Sequence, residues 1–128
     1  LATDKKGSQV TKVEVLRPTG DSEVYVAKLV GYDRGQDLAV LKIEASADEL
    51  TPVKIGTSAD LRVGQSVFAI GNPFGLSHTL TAGTVSGLQR TIPSATGDRI
   101  FGAIQTDASI SSGNSGGALL DSSGRLVG

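Results

Sequence analysis

The stretch VTKVEVLRPTGDSEVYVAKLV, residues 10–30, decides the fold class of this chain. Apolar and polar side chains alternate over residues 10–17 and again over residues 23–30, and a period of two is typical of half-buried β-strands. The turn-forming sequence Pro-Thr-Gly-Asp separates the two segments. We therefore predict a β-hairpin in which apolar side chains share one face of each strand: Val13 and Val15 in the first, and Val24, Val26 and Val30 in the second.

Short strand patterns and glycine turns continue along the rest of the chain. The nearly continuous apolar run at residues 38–43 predicts a strand that is buried on both faces. Further strands are predicted at residues 65–70, 78–88, 100–107 and 118–120, with Gly83 and Gly87 as bulge or bend points. With glycine at 17 of 128 positions, this spacing of strands indicates an all-β barrel or sandwich.

Residues 45–64 differ from the strands in their pattern. Ser46 is placed as the N-cap of a single helical turn, and Glu49 stands at the capping-box position. This segment is the candidate connector between two strand-rich units. Because the chain has no initial Met and residues 125–128 resemble the start of a strand, we expect an internal piece of a longer protein.

Composition excludes several classes of function. The chain has 12 Lys and Arg against 13 Asp and Glu, a net charge of -1, which argues against a basic surface for nucleic acid or membrane. No apolar run approaches the ~18 residues of a membrane helix. The chain has no Cys and one His, which excludes thiolate metal sites and leaves too few ligands for zinc, so we expect no metal or cofactor.

The segment TDASISSGNSGG, residues 106–117, carries the candidate chemistry. A serine nucleophile needs an exposed hydroxyl and backbone N–H groups aimed at the developing oxyanion. Glycines on both sides of Ser115 permit a tight turn, and Gly113 and Ser115 are spaced as the two oxyanion donors of chymotrypsin-type enzymes are. A surface turn would account for this segment taken alone.

A second catalytic interpretation is disfavoured. Gly113-x-Ser115-x-Gly117 also fits the nucleophile elbow of α/β-hydrolases, which requires a helix after the serine and a later histidine. Here residues 118–120 lead into a turn, and no histidine follows Ser115.

Four motifs, in order, resemble the HtrA/Deg family of serine endopeptidases. They span about residues 30 to 128 and are Asp33-x-x-x-Asp37-Leu38-Ala39-Val40-Leu41, Val63-Gly64-Gln65-x-Val67-x-Ala69-Ile70-Gly71-Asn72-Pro73-Phe74-Gly75, Thr84-Val85-Ser86-Gly87 and Asp107-Ala108-x-Ile110-x-x-Gly113-Asn114-Ser115-Gly116-Gly117-x-Leu119-Leu120. Residues 69–75 and 78–90 are most similar to the chloroplast and cyanobacterial Deg branch.

The resemblance implies a chymotrypsin-like pair of antiparallel β-barrels, which we expect to be incomplete at both ends. Residues 1–50 would be the remainder of the first barrel with the strand of the acid. Residues 51–64 would connect the barrels. Residues 65–128 would form the first part of the second barrel with the nucleophile loop.

The resemblance also implies a role for each motif residue. Ser115 would be the nucleophile and Asp37 the acid that orients the histidine, while Asp33 takes a turn role. Gly113, Asn114 and Ser115 would supply the oxyanion-hole amides. Ile110 would form a wall of the pocket for a small-to-medium apolar side chain. One position departs from the family, since Ala118 stands where Pro is usual.

The histidine of the triad is not found at its family position, upstream of Asp37. The single histidine, His78, would reproduce the subtilisin order of Asp37, His78 and Ser115. That geometry belongs to a sheet flanked by helices, and no helical pattern is present to supply them. We therefore expect the histidine to lie outside the 128 residues and this chain alone to be inactive or nearly so.

The resemblance implies a whole protein that degrades unfolded or damaged proteins and assembles as trimers. It implies the chloroplast, in the thylakoid lumen, with a bacterial or cyanobacterial periplasm as the alternative. Two other interpretations stay open: a catalytically dead pseudoprotease subunit, and an unrelated β-rich binding module.

Overall fold

The computed structural model describes residues 2–3, 9–17, 19–72, 79–94 and 97–128. Within these ranges all regular structure is β-strand apart from two short 3₁₀ turns, so the all-β prediction is confirmed. The chain divides into two compact units: the first comprises Leu1–Thr51 with Ser94–Asp98, and the second comprises Pro52–Pro93 with Arg99–Gly128. The described part of the chain contains no helix with the length and hydropathy of a membrane span.

The first unit contains a four-stranded antiparallel sheet. Its strands follow chain order, as β1 (Ala2–Thr3), β2 (Gln9–Leu16), β3 (Ser22–Asp33) and β4 (Leu38–Ile43). The pairing of β2 with β3 confirms the predicted hairpin. The predicted capping box is confirmed at the 3₁₀ turn Ala47–Glu49, where the Ser46 N–H donates to the Glu49 carboxylate at 2.7 Å.

The face of β3 that was predicted as apolar, with Val24, Val26 and Val30, is the more exposed one. Glu14 pairs with Val24, which places the valine on the solvated side, where it is 57% exposed. The other face of β3 carries Ala27, which is fully buried. Val24 therefore lies outside the core that the described residues form.

The prediction that residues 38–43 are buried on both faces is wrong. Leu38 and Val40 are 66% and 61% exposed. Among the described residues, β4 pairs with β3 alone and forms an edge of its sheet. An apolar run therefore identified the strand but not its degree of burial, which depends on what packs against it.

The second unit contains a six-stranded sheet in the order β5-β10-β9-β6-β7-β8. Its strands are β5 (Lys54–Ile55), β6 (Ser66–Gly71), β7 (Thr79–Pro93), β8 (Arg99–Thr106), β9 (Ala118–Asp121) and β10 (Arg125–Leu126). Every pairing is antiparallel except that of β5 with β10.

Strand β7 crosses the sheet as its longest element. Its register against β8 shifts at Gly87, as predicted. Gly83 instead pairs in regular register with Val67 of β6. There is therefore no bulge between these two strands at Gly83. Val67 and Val85 are fully buried, and this core supports the loop that joins β8 to β9.

Candidate active site

The loop of residues 107–117 presents Ser115 to solvent. Strand β8 ends at Thr106 and β9 begins at Ala118, and a 3₁₀ turn at Ser112–Asn114 lies between them. Ser115 ends this turn with φ −56° and ψ 131° and is exposed. Its hydroxyl is therefore accessible, as a nucleophile requires.

Glycines allow this loop to lie directly on strand β6. An ideal Cβ at Gly117 would lie 2.1 Å from the carbonyl oxygen of Ile70, and one at Gly71 would lie 2.8 Å from the Cα of Asn114. Gly116 has a φ of +84°, in the left-handed region that favours glycine. The sequence Gly-Gly after the serine is thus required by close approach and by backbone conformation.

Two of the three expected oxyanion-hole amides, those of Asn114 and Ser115, take part in the turn itself. The Asn114 N–H donates to the Ser111 carbonyl at 2.9 Å. The Ser115 N–H donates to the Ser112 carbonyl at 3.4 Å, beyond the usual range for such bonds. The Ser115 amide is therefore held weakly, whereas the Asn114 amide is held firmly.

Asp107 fastens the start of the loop to β7. Its Oδ1 accepts the Thr84 N–H at 2.5 Å and the Thr84 hydroxyl at 3.3 Å. The Thr84 N–H lowers the pKa of Asp107 below its ordinary value, against the opposing effect of desolvation. At Gly83 an ideal Cβ would lie 2.3 Å from the Ala108 nitrogen, so this crossing needs a glycine.

Asp107 belongs to the motif around Ser115, but the sequence predicted no role for it. Its partner Thr84 lies 23 residues away along the chain, and nothing in the local pattern predicts that contact. The only available signal was its position as the last residue of a predicted strand.

Asp37 lies in the turn between β3 and β4. Its φ is +53°, a conformation that Asp adopts more readily than most residues. The Asp33 carboxylate accepts the Gln36 N–H at 3.1 Å, which is the turn role expected of Asp33. Asp37 is exposed and belongs to the first unit, whereas Ser115 belongs to the second.

Of the two remaining candidate residues, Ile110 and His78, the structure describes only Ile110. Ile110 lies in the nucleophile loop and is 57% exposed, so its side chain is available to a substrate. The prediction on His78 lies outside the described residues. Within the described ranges, no three His, Cys, Asp or Glu side chains converge as metal ligands.

An all-β fold with an exposed serine in a glycine-held turn is the arrangement expected of a chymotrypsin-like peptidase domain. The model of the trypsin-like peptidase domain matches residues 1–128. The chain belongs to this family, in its HtrA/Deg branch.

Named relatives place the chain in that branch. It is 59% identical over 128 residues to the chloroplastic Protease Do-like 5 of Arabidopsis thaliana, covering all of this chain and 40% of that protein. It is 53% identical over 108 residues to a probable periplasmic DegP-like serine endoprotease of Marinomonas, covering 84% of this chain and 22% of that protein.

A solved structure supports the predicted fold. The crystal structure of Deg5 superposes with a TM-score of 0.81 at 57% identity, covering 98% of this chain and 60% of that one. The predicted chymotrypsin-like architecture is confirmed, and an unrelated β-rich module is not supported. The chain spans less than half the length of the curated relatives it matches.

Proposed function

We propose that the whole protein is a serine endopeptidase of the HtrA/Deg type that forms an acyl-enzyme on Ser115. The observation that carries this proposal is the exposed Ser115 at the end of a glycine-held turn. Family membership supports it. The general base is a histidine supplied from outside these 128 residues.

The reaction divides peptide hydrolysis into two acyl transfers. The histidine takes the proton of the Ser115 hydroxyl as its oxygen attacks the scissile carbonyl, and it then gives that proton to the leaving amine. Water hydrolyses the resulting ester by the same route, which releases the new carboxylate and restores the Ser115 hydroxyl.

The amides of Gly113 and Ser115 stabilise the oxyanion of the tetrahedral intermediate. The Ser115 N–H leaves its 3.4 Å bond to the Ser112 carbonyl for a charged acceptor, and charge-assisted bonds are about twice as strong as neutral ones. Because the Asn114 N–H already has a firm partner at 2.9 Å, it contributes less. Removing one such donor lowers kcat about 10²–10³-fold.

Asp37 is the group that orients the histidine. A carboxylate at this position accepts the second ring N–H of the imidazole, fixes its tautomer and stabilises the imidazolium. Asp37 is exposed in this chain, which leaves its carboxylate accessible for that bond.

The proposed substrates, assembly and cellular location are those that membership of the HtrA/Deg family implies. We propose unfolded or damaged proteins as substrates, with a small-to-medium apolar side chain against Ile110. The whole protein would assemble as trimers and act in the chloroplast, in the thylakoid lumen, with a bacterial periplasm as the alternative. The names of the chloroplastic and periplasmic relatives support the chloroplast and the periplasm as locations.

A pseudoprotease subunit is the second candidate function. It is favoured by the single histidine in the chain, His78, which stands downstream of Asp37 rather than upstream. Such a subunit would bind unfolded chains on the same surface without cleaving them.

Cleavage of one reporter protein in native and denatured form separates the two candidates. The endopeptidase cleaves the denatured form faster, and Ser115→Ala abolishes cleavage while binding persists. If the wild-type whole protein binds the denatured form and never cleaves it, the pseudoprotease is correct.

A further inference from the structure

The carbonyl oxygen of Ser109 receives hydrogen bonds from two different parts of the second unit. The Thr81 hydroxyl, on strand β7, donates to it at 2.9 Å. The Asn114 Nδ2, at the end of the 3₁₀ turn, donates to it at 3.2 Å. Because Asn114 directly precedes Ser115, this carbonyl connects the sheet to the residue beside the nucleophile.

Strand β7 gives that connection firm support. Thr81 pairs with Ala69 of β6, and β6 pairs on its other side with β9, the strand that leaves the nucleophile loop. Further along β7, Thr84 holds Asp107 at the beginning of the loop. The loop is therefore tied to one strand at both Asp107 and Ser109.

The Asn114 carboxamide depends on Ser109 for its orientation. Its Nδ2 bonds to the Ser109 carbonyl, whereas its Oδ1 is buried and has no hydrogen-bond partner among the described residues. An ideal Cβ at Gly71 would lie 2.6 Å from that Oδ1, so the carboxamide lies closely against β6. A shift of the Ser109 carbonyl would turn the carboxamide and move the backbone that carries Ser115.

We propose that Thr81 is a positioning residue for Ser115, acting through the Ser109 carbonyl and the Asn114 side chain. This inference rests on the proposed function, because it assigns Thr81 to the reaction of Ser115. The Thr81 hydroxyl restricts the loop to positions in which the Ser115 hydroxyl and N–H face the scissile carbonyl. A displacement of about 1 Å in such a site lowers a rate about 10²-fold.

The test compares three variants in the whole protein. Thr81→Val keeps the shape of the side chain and removes the donor, Thr81→Ser restores the donor, and Thr91→Val alters an exposed threonine further along β7. Titration with a fluorophosphonate counts the reactive serines, and peptide hydrolysis gives kcat and KM per reactive site. Thr81→Ala is the second donor-free variant if Thr81→Val fails to fold.

We expect Thr81→Val to keep the number of reactive sites and to lower kcat about tenfold, the factor that a loss of about one hydrogen bond in the transition state produces. KM stays within about twofold, because the substrate contacts are unchanged. Thr81→Ser recovers most of kcat, and Thr91→Val matches wild type. The proposal is overturned if Thr81→Val loses reactive sites while kcat per site is unchanged, since that is a purely structural role.

Amide hydrogen exchange makes the test independent of activity. Thr81→Val should speed exchange in the peptide that covers residues 109–117, and Thr81→Ser should restore the wild-type rate. If the wild-type protein does not react with the fluorophosphonate, the proposed function fails, and exchange still decides the role of Thr81. If exchange in this peptide is equal in wild type and Thr81→Val, the Thr81 hydroxyl does not hold the loop, and the proposal is overturned.

Discussion

The carbonyl oxygen of Ile70 lies 2.1 Å from the position that a Cβ on Gly117 would occupy. This contact joins strand β6 to the residue that directly precedes β9. The nucleophile loop therefore reaches the sheet two residues after Ser115, at a distance that only glycine permits. The contact explains why a side chain at position 117 would displace the turn that presents Ser115.

Substituting Gly117→Val should destabilise the second unit. The branched side chain must displace the backbone of β6, and overpacking typically costs about 1–3 kcal/mol. Urea unfolding of the whole protein measures the loss, and peptide hydrolysis should fall to background. Gly31→Val is the matched control, because an ideal Cβ at Gly31 has no described atom within 4 Å. Full activity in refolded Gly117→Val would refute this account of the turn.

Replacing Asp37→Asn should lower kcat about 10⁴-fold, because the amide favours the wrong tautomer of the histidine. Asn tolerates the φ of +53° at this position, so the turn should survive and the loss should come from the charge. Asp33→Asn should keep wild-type activity, since its amide oxygen still accepts the Gln36 N–H. Equal losses in both variants would assign the effect to the turn instead.

Acidification should weaken the β9–β10 hairpin through Asp121. This carboxylate is 4% exposed in its side chain and accepts the N–H groups of Arg125 and Ser123 and the Arg125 guanidinium. The Arg125 N–H, chiefly, lowers the pKa of Asp121 below its ordinary value of 3.8. A lowered folded-state pKa gives stability that is complete above about pH 4 and is lost as pH falls through the folded value.

Thermal unfolding against pH measures this effect in wild type and in Asp121→Asn. The Tm of wild type should fall more steeply below pH 4 than that of Asp121→Asn, which has no charge to lose at this position. Parallel curves would show that Asp121 does not contribute.

Removal of the Asp107 carboxylate should loosen the start of the nucleophile loop. Asp107→Ala leaves the Thr84 N–H without its acceptor, whereas Asp107→Asn keeps an oxygen there but lacks the charge. We therefore expect Tm and kcat to rank wild type above Asp107→Asn and Asp107→Asn above Asp107→Ala. An Asp107→Ala protein with wild-type Tm would contradict the anchoring role.

Local features of this fold were predictable from sequence. The hairpin of β2 and β3 and the Ser46–Glu49 capping box depend on residues that are close along the chain, and both are confirmed. Burial was not predictable in the same way. Leu38 lies in an apolar run and is nevertheless 66% exposed, because burial depends on what covers a strand.

The contacts that organise the candidate site are long-range. Asp107 meets Thr84 across 23 residues, and Thr81 meets Ser109 across 28. The motif around Ser115 predicted the tight turn that exposes this serine, because glycine spacing is a local signal. It gave no role to Thr81 or Asp107, since their partners are set by the pairing of β7 with its neighbours.

Fluorophosphonate labelling of the whole protein, followed by peptide mass spectrometry, tests the central claim most directly. The account predicts one adduct on the Ser115 hydroxyl, none in Ser115→Ala, and strongly slowed labelling in Asp37→Asn. An adduct on another serine, or no adduct in the folded, assembled wild-type protein, would contradict it.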